Sequence, residues 1–156
     1  MIWRASAPVT CLFALVVAVA PAGQRNGDPD CRLEITDPRA GQGVPGRIAV
    51  KGTAAMSRGT YLWVFVRRWD FEPRWWPQGE AIWDEETKEW HGFATLGKRV
   101  DIGWEFDVIA AVVAPKEHLE LTDYLKQGME TGRFRPDEFP PALCVSTPVR
   151  VIKKSK

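Results

Sequence analysis

The segment YLWVFVRRWDFEPRWWPQ, residues 61–78, decides how the rest of the chain is arranged. Residues Thr60–Arg67 are β-branched or aromatic at nearly every position and are too few for a buried helix, so they predict a strand. The side chains alternate between two apolar faces, one with Leu62, Val64 and Val66 and the other with Tyr61, Trp63 and Phe65. This strand is therefore covered on both sides, or it exposes one row of aromatic rings.

A second long segment, Trp104–Ala114, is also apolar on both faces, so both faces need to be covered. Directly after it, the strand pattern gives way to apolar residues near helical spacing: Leu119, Leu121, Leu125 and Met129. They predict a helix that is capped by Thr122 or Asp123, runs to about Thr131 and is followed by Gly132. We expect this helix to cover the outer face of the preceding strand.

Five further segments have strand patterns and are separated by turn residues: Arg32–Thr36, Arg47–Gly52, Trp75–Trp83, Trp90–Leu96 and Pro148–Lys153. Pro77 has no N–H to donate to a ladder, so its strand lies at an edge or is broken there. About seven short strands, with one helical insertion before the last, predict an all-β sandwich of two sheets. A closed barrel is the main alternative. A parallel α/β sheet is disfavoured because helices do not alternate with strands.

The first residues have the order of a secretory signal peptide. A short basic start, Met1–Arg4, precedes the apolar stretch Val9–Ala20 and the small-residue site Ala20-Pro21-Ala22. We therefore divide the chain into a signal peptide (1–22), a flexible polar leader (23–30) and one domain (31–153). An uncleaved membrane anchor is the alternative, since about 20 uncharged residues are enough to span a bilayer. The division predicts a secreted or periplasmic protein that makes no membrane contact after cleavage.

The charge balance limits the kinds of partner. The whole chain has 21 Lys and Arg and 20 Asp and Glu residues, a formal net charge of +1, and removing Arg4 with the signal peptide leaves 20 of each. A neutral domain has no general attraction for nucleic acid or for anionic lipid. We therefore expect no nucleic-acid partner.

Two cysteines remain after signal cleavage, Cys31 at the start of the domain and Cys144 near its end. An even pair in an oxidising compartment predicts a disulfide, with two buried free thiols as the alternative. The two histidines, His91 and His118, show no metal-ligand spacing with the cysteines. Neither a metal nor another cofactor is therefore expected.

Motifs of the common enzyme classes are absent from the sequence. It contains no G-x-S-x-G elbow, no P-loop, no H-E-x-x-H and no C-x-x-C. Many carboxylate pairs could lie near one another, as glycoside hydrolysis requires, but the sequence does not place them. We predict a protein that is not an enzyme, and a small extracytoplasmic hydrolase is the remaining catalytic alternative.

Eight tryptophans are the feature that points most directly to function. Several of them crowd one region, and with a nearby arginine they form the candidate contact set: Trp69, Arg74, Trp75, Trp76 and Trp83. In one interpretation they pack on each other under the loop Arg68–Arg74, with arginines stacked on the rings. In the other they form an exposed aromatic surface, because Trp, Tyr and Arg are the residue types that anchor interfaces.

Three segments resemble the opening of a known class of domain. Asp37-Pro38, Gly43-Val44-Pro45-Gly46 and Val50-Lys51-Gly52-Thr53-Ala54 are similar to the first two strands of bacterial immunoglobulin-like (fibronectin III-like) β-sandwich domains of exported and surface proteins. The resemblance implies an immunoglobulin-like strand order and a role as a spacer, adhesion or interaction module, without a particular ligand. Two features depart from the pattern. Val50 and Ala110 stand where antibody domains carry their cysteine pair, and the helical insertion is unlike the simplest members.

Together these observations predict a secreted, non-catalytic binding or structural module whose partner is a protein or a glycan. The candidate contact surface is the region Trp69–Trp83. The alternative is a carbohydrate-binding module in which Trp75, Trp76 and Trp83 stack on sugar rings.

Overall fold

The computed structural model describes residues 32–70 and 73–155. The predicted signal peptide, the leader and Cys31 lie outside these residues. The strands are β1 (Arg32–Asp37), β2 (Gly43–Val44), β3 (Arg47–Ala55), β4 (Tyr61–Arg68), β5 (Trp76–Glu80), β6 (Ile82–Trp83), β7 (Glu89–Thr95), β8 (Glu105–Val113), β9 (Cys144–Val145) and β10 (Val149–Lys153). The helix α1 spans Pro115–Thr131, and a short 3-10 helix spans Arg99–Asp101.

The strands form two sheets that pack face to face. The first sheet has the order β1-β3-β7-β6, and the second has the order β2-β10-β8-β4-β5, with β9 paired to the end of β8. All pairs are antiparallel except β2 with β10. The predicted two-sheet sandwich with one helix is confirmed.

The strand count differs from the prediction at one instructive place. Trp75–Trp83 was expected to form one extended segment, but β5 belongs to the second sheet and β6 to the first. Gly79 has φ +148° beside a register shift between Val64 and Phe65 of β4. This backbone conformation, which side chains rarely permit, accompanies the irregularity in β5. The chain then passes to the other sheet at Ala81, between Glu80 of β5 and Ile82 of β6.

The space between the sheets is filled by the inward side chains that alternation predicted. Leu62, Val64 and Val66 of β4 meet Val50 of β3 and Trp90 of β7, and all five are almost completely buried. Trp90 passes directly over Gly52, where a methyl group would lie 2.7 Å from the indole ring. The interior therefore depends on a glycine in the middle of β3.

A second core lies on the outer face of the second sheet. Trp63 and Phe65 of β4 and Ile109 of β8 are buried there under Leu121 of α1 and Phe139 of the segment that follows the helix. The helix thus covers the outer face of β8, as the sequence required. Both faces of β4 and β8 are apolar because both are covered.

The helix begins earlier than the prediction, at Pro115. Proline is well suited to the first helical position, since its missing N–H would have no partner there. The end agrees with the prediction, because Gly132 adopts the left-handed conformation (φ +65°) that stops the helix. Leu119 and Met129 were expected on the buried stripe, but they are 64% and 71% exposed. Covering a narrow strip of sheet needs only Leu121 and part of Leu125.

Two aromatic residues next to β8 and on α1 have environments that the sequence pattern does not reveal. Trp104, the first residue of the predicted strand Trp104–Ala114, lies just before β8 and is exposed, with the guanidinium of Arg68 over its ring. His118 of α1 faces the sheet. Its Nδ1 accepts a hydrogen bond from Nε1 of the buried Trp63 at 3.2 Å, and its ring stacks on Tyr61 at 3.7 Å.

Candidate functional site

The five candidate contact residues do not form one surface. Trp75 is buried in the outer core, where its ring lies edge-on to Phe139 at 5.6 Å and under the guanidinium of Arg67 at 4.6 Å. The arginine stacking expected for this region is therefore present at Trp75. Arg74 is exposed and precedes Trp75 in the chain.

Trp83 lies on the other sheet. It is half-buried in β6, packs against the core between the sheets and donates its indole N–H to the carbonyl oxygen of Ala54 at 3.1 Å. The ammonium of Lys88 lies 5.4 Å from the centre of its ring. The three rings named for a sugar platform, Trp75, Trp76 and Trp83, are thus divided between two sheets and two environments.

Trp69 ends an alternating stack of rings and charges on the outer face of the second sheet. The ring is 51% exposed, and the guanidinium of Arg150 lies over it at 4.4 Å. Asp107, almost completely buried, accepts hydrogen bonds from Arg150 at 2.8 Å and from Arg67 at 3.1 Å. The hydrogen bond with Asp107 raises the pKa of Arg150 above its usual value. A buried carboxylate is tolerated here because two guanidinium groups neutralise it.

Trp76 is the candidate residue that borders a large depression, which we call the Trp76 groove. The groove has a volume of about 1010 Å³, at the upper end of the roughly 300–1,000 Å³ typical of ligand sites. It lies between β5, the second half of α1 with the loop after it, and the turn before β8. Its lining is formed by Val66, Arg68, Trp76, Pro77, Gln78, Thr95, Gly97, Lys98, Asp101, Phe106, Leu125, Met129, Gly132, Arg133, Phe134 and Arg135.

One wall of the groove is fixed by the side chain of Gln78. Its amide N–H donates to the carbonyl oxygen of Trp76 at 3.1 Å, and its Oε1 accepts from the backbone N–H of Thr95 at 2.8 Å. Gln78 therefore ties the edge of the second sheet to the end of β7 in the first. Both polar atoms of this amide are used within the protein.

The opposite wall is formed where α1 ends. Gly132 turns the chain back, and the ring of Phe134 then lies so close to Gly128 that a methyl group at position 128 would overlap it. The hydroxyl of Tyr124 donates to the carbonyl oxygen of Arg135 at 2.7 Å and holds the loop. Burial, with a smaller contribution from Asp137, raises the pKa of Tyr124 to about 12.

Apolar side chains along this wall remain exposed. Met129 and Phe134 are 71% and 48% exposed, whereas Val66 and Phe106 at the floor are buried. The groove therefore offers a bound molecule an apolar surface that the folded core does not use.

The rim of the groove is basic. Arg68 is paired with Asp70 at 2.7 Å and with Asp101 at 3.5 Å. The charged groups of Lys98, Arg133 and Arg135 pair with no carboxylate in residues 32–70 and 73–155. Asp101 is the single carboxylate of the lining, so the groove is positively charged although the whole chain has a formal net charge of only +1.

One carboxylate lines the groove, and its oxygens are already engaged. Asp101 already accepts a hydrogen bond from the backbone N–H of Lys98 besides its pairing with Arg68, and no second carboxylate lines the groove. Over the described part of the chain, no three His, Cys, Asp or Glu side chains come together in a way that could hold a metal. The lining can therefore supply apolar contacts and positive charge.

Sequence reasoning identified Trp76 but missed the residues opposite to it. Arg133, Phe134 and Arg135 are far from Trp76 in sequence and meet it only because α1 crosses the sheet. A local signal was present, since Arg-Phe-Arg directly after a helix-ending glycine places a large ring and two cations on an exposed loop.

Comparison with known proteins identifies no relative: no protein-family model matches the chain, and no curated protein matches it. Of the helices that the structure describes, none is both long and apolar enough to cross a membrane. The fold and the Trp76 groove are thus the observations from which a function can be inferred.

Proposed function

We propose that this protein is an exported, non-catalytic binding module of immunoglobulin-like type, and that the Trp76 groove holds its ligand. The observation that carries the proposal is the groove itself, in which Trp76, Met129 and Phe134 border about 1010 Å³ of open space. Exposed apolar side chains gathered in a concave surface are typical of binding sites.

The strand orders support the immunoglobulin-like part of the proposal. In such domains one sheet has the order A-B-E-D and the other contains C, F and G. Here β1-β3-β7-β6 corresponds to the first, and β10-β8-β4 corresponds to G-F-C in the second. On this correspondence α1 and its following loop occupy the connection between F and G, one of the loops that variable domains use for recognition.

Export is supported by the N-terminal sequence and by the cysteines. The order of basic start, apolar stretch and small-residue site is that of a signal peptide. Cys144 is buried in β9, which contacts β1, and Cys31 immediately precedes β1 in the chain. This neighbourhood favours the disulfide that an oxidising compartment would permit.

The non-catalytic part is supported by the lining of the groove. General acid–base hydrolysis of a glycoside requires two carboxyl groups at the reacting bond. The groove contributes Asp101 alone, and Asp101 is engaged by Arg68 and by the backbone.

The test is to locate bound ligands by NMR. The ¹⁵N-labelled full chain is titrated with panels of peptides, oligosaccharides and fatty acids, and shifts are followed at the backbone and at the tryptophan indole groups. We expect a ligand to shift Trp76, the second half of α1 and residues 133–135. Shifts confined to Trp69 and its neighbours would contradict the assignment of the site, and chemical conversion of a bound ligand would contradict the non-catalytic role.

Matched variants of α1 separate the groove from the rest of the helix. Met129→Ala removes an exposed apolar side chain that lines the groove, and Leu119→Ala removes one that does not. Both should leave stability within about 0.5 kcal/mol, as is usual for exposed positions. Only the first should weaken ligand binding.

A further inference from the structure

We infer that the Trp76 groove recognises an acidic peptide segment in which a large apolar side chain is flanked by aspartate or glutamate. This inference rests on the proposed binding function and adds the class of ligand. Its partner would be a protein with an exposed segment of this composition.

The first support is charge complementarity. Lys98, Arg133 and Arg135 border the groove without a carboxylate partner in residues 32–70 and 73–155, while Arg68 is already matched by Asp70 and Asp101. Asp137 and Glu138 follow in the same loop but do not line the groove. An approaching acidic segment therefore meets three cations and a single, already paired carboxylate. Oppositely charged rims of this kind select partners and speed their association.

The second support is the nature of the apolar wall. Met129 is unbranched and adapts its shape to different apolar groups, and the aromatic side chains of Trp76 and Phe134 both line the space. Phe134 packs closely on Gly128. One large side chain of a peptide, packed against these three side chains, would gain the buried contact that dominates interface energies.

Other ligand classes match the lining less well. Sugar hydroxyl groups are bound by neutral amides and carboxylates, but both polar atoms of the Gln78 amide are bonded within the protein, as are those of Asp101. A fatty-acid chain requires an enclosed apolar cavity, whereas Met129 and Phe134 remain largely exposed at the wall. Sugars and fatty acids are therefore included in the test as alternative ligands.

The experiment measures affinity across three sets of synthetic peptides of about ten residues, a length that fits a surface groove. Every peptide has a fixed central Leu, Phe or Trp, and the flanking residues are acidic in one set, basic in the second and neutral in the third. Fluorescence polarisation with the full chain gives the dissociation constants. We expect the acidic set to bind at least about tenfold more tightly than the basic set. The difference should shrink when salt rises from about 0.05 M to about 0.5 M, which shortens the screening length.

Charge-reversal variants connect the preference to the groove. Arg133→Glu combined with Arg135→Glu should weaken binding of the acidic set by at least about tenfold and should improve binding of the basic set. The control variant combines Arg32→Glu with Arg39→Glu, two exposed arginines outside the groove lining, and should leave the preference intact. Equal loss in the two double variants would overturn the inference, because it would show that net charge alone governs binding.

The remaining outcomes distinguish this inference from the proposed function. If neutral or basic peptides bind as tightly as acidic ones and Met129→Ala still weakens them, the ligand class is wrong and the groove function stands. The same conclusion follows if only an oligosaccharide or a fatty acid binds in the groove. If no panel member binds, or if every ligand that binds is indifferent to Met129→Ala, both are overturned.

Discussion

Gly52→Ala should unfold the sandwich more effectively than any other single methyl addition in the first sheet. Gly52 lies in the middle of β3, between Ile35 of β1 and Trp90 of β7 in the strand registers. A methyl group there would lie 1.9 Å from the carbonyl oxygen of Glu34 and 2.7 Å from two atoms of the Trp90 ring. Ordinary contact begins at about 3.4 Å, so the Glu34 oxygen would have to move by about 1.5 Å and the Trp90 ring by about 0.7 Å.

Neither neighbour can move that far without cost. The Glu34 oxygen belongs to the backbone of β1, and a 1.5 Å displacement would break ladder hydrogen bonds, each of which contributes about 1 kcal/mol. The Trp90 ring is 2% exposed and packed on all sides, and forcing extra volume into a packed core costs typically about 1–3 kcal/mol. If two such bonds break, they cost about 2 kcal/mol, and with the overpacking the total is about 3–5 kcal/mol. The gain from restricting the unfolded chain, about 0.4–1 kcal/mol, offsets little of this.

The assay is urea unfolding followed by circular dichroism and by tryptophan fluorescence. Gly43→Ala is the matched control, because a methyl group at position 43 meets only the flexible side chain of Lys154. It should change the free energy of unfolding by less than about 1 kcal/mol, as surface substitutions do. A loss of less than about 1 kcal/mol in Gly52→Ala would show that β1 and β3 separate easily, and the reasoning would then be refuted.

Three further predictions follow from other contacts. His118→Leu should reduce the free energy of unfolding by about 1–3 kcal/mol, because the indole N–H of the buried Trp63 loses its acceptor. His118→Gln, which can restore an acceptor, should recover part of this loss in thermal unfolding. Equal losses in the two variants would mean that the hydrogen bond is unimportant. The free energy of unfolding should fall as the pH rises from 10 towards about 12, because Tyr124 loses its proton at its ordinary pKa of 10.0 in the unfolded chain but keeps it to about 12 in the folded chain. In Tyr124→Phe, urea midpoints measured across that range should depend less on pH. An unchanged pH dependence would assign the effect to another group. Reducing the proposed disulfide between Cys31 and Cys144 should lower the free energy of unfolding by about 2–4 kcal/mol. After alkylation of the unreduced protein, mass spectrometry should find neither of these cysteines labelled. Labelling of both would exclude the disulfide.

The layered fold could be predicted because two segments allowed few alternatives. Thr60–Arg67 and Trp104–Ala114 are apolar on both faces, and a strand of that kind requires a layer on each side. The helix was predicted as one of those layers from Leu121 and Leu125, which do pack there. Local pattern and long-range packing agreed at these positions.

The helix start and the tryptophans could not be predicted in the same way. Pro115 can begin a helix or end a strand, and the choice depends on where β8 stops. Trp75 and Trp76 are adjacent in sequence, yet one enters the outer core and the other borders the groove. Successive residues of an extended segment point to opposite faces, so only the position of α1 decides what each ring meets.

The groove was the least predictable feature. Trp76 of β5, the turn with Thr95 and Lys98, and Arg135 after α1 come from three separate parts of the chain. These residues come together because the chain passes from β5 in the second sheet to β6 in the first, and because it turns back at Gly132. Neither event leaves a periodic pattern in the sequence.

The bond between the Gln78 amide and the Trp76 carbonyl also affects how copies of this protein behave at high concentration. An open edge strand such as β5 is a template on which another chain can add, which is a common route to fibrils. Here the carbonyl of Trp76 is occupied by Gln78, and Pro77 interrupts the run of backbone donors in the same strand. The protein can therefore keep an exposed apolar groove beside a sheet edge while that edge resists self-association.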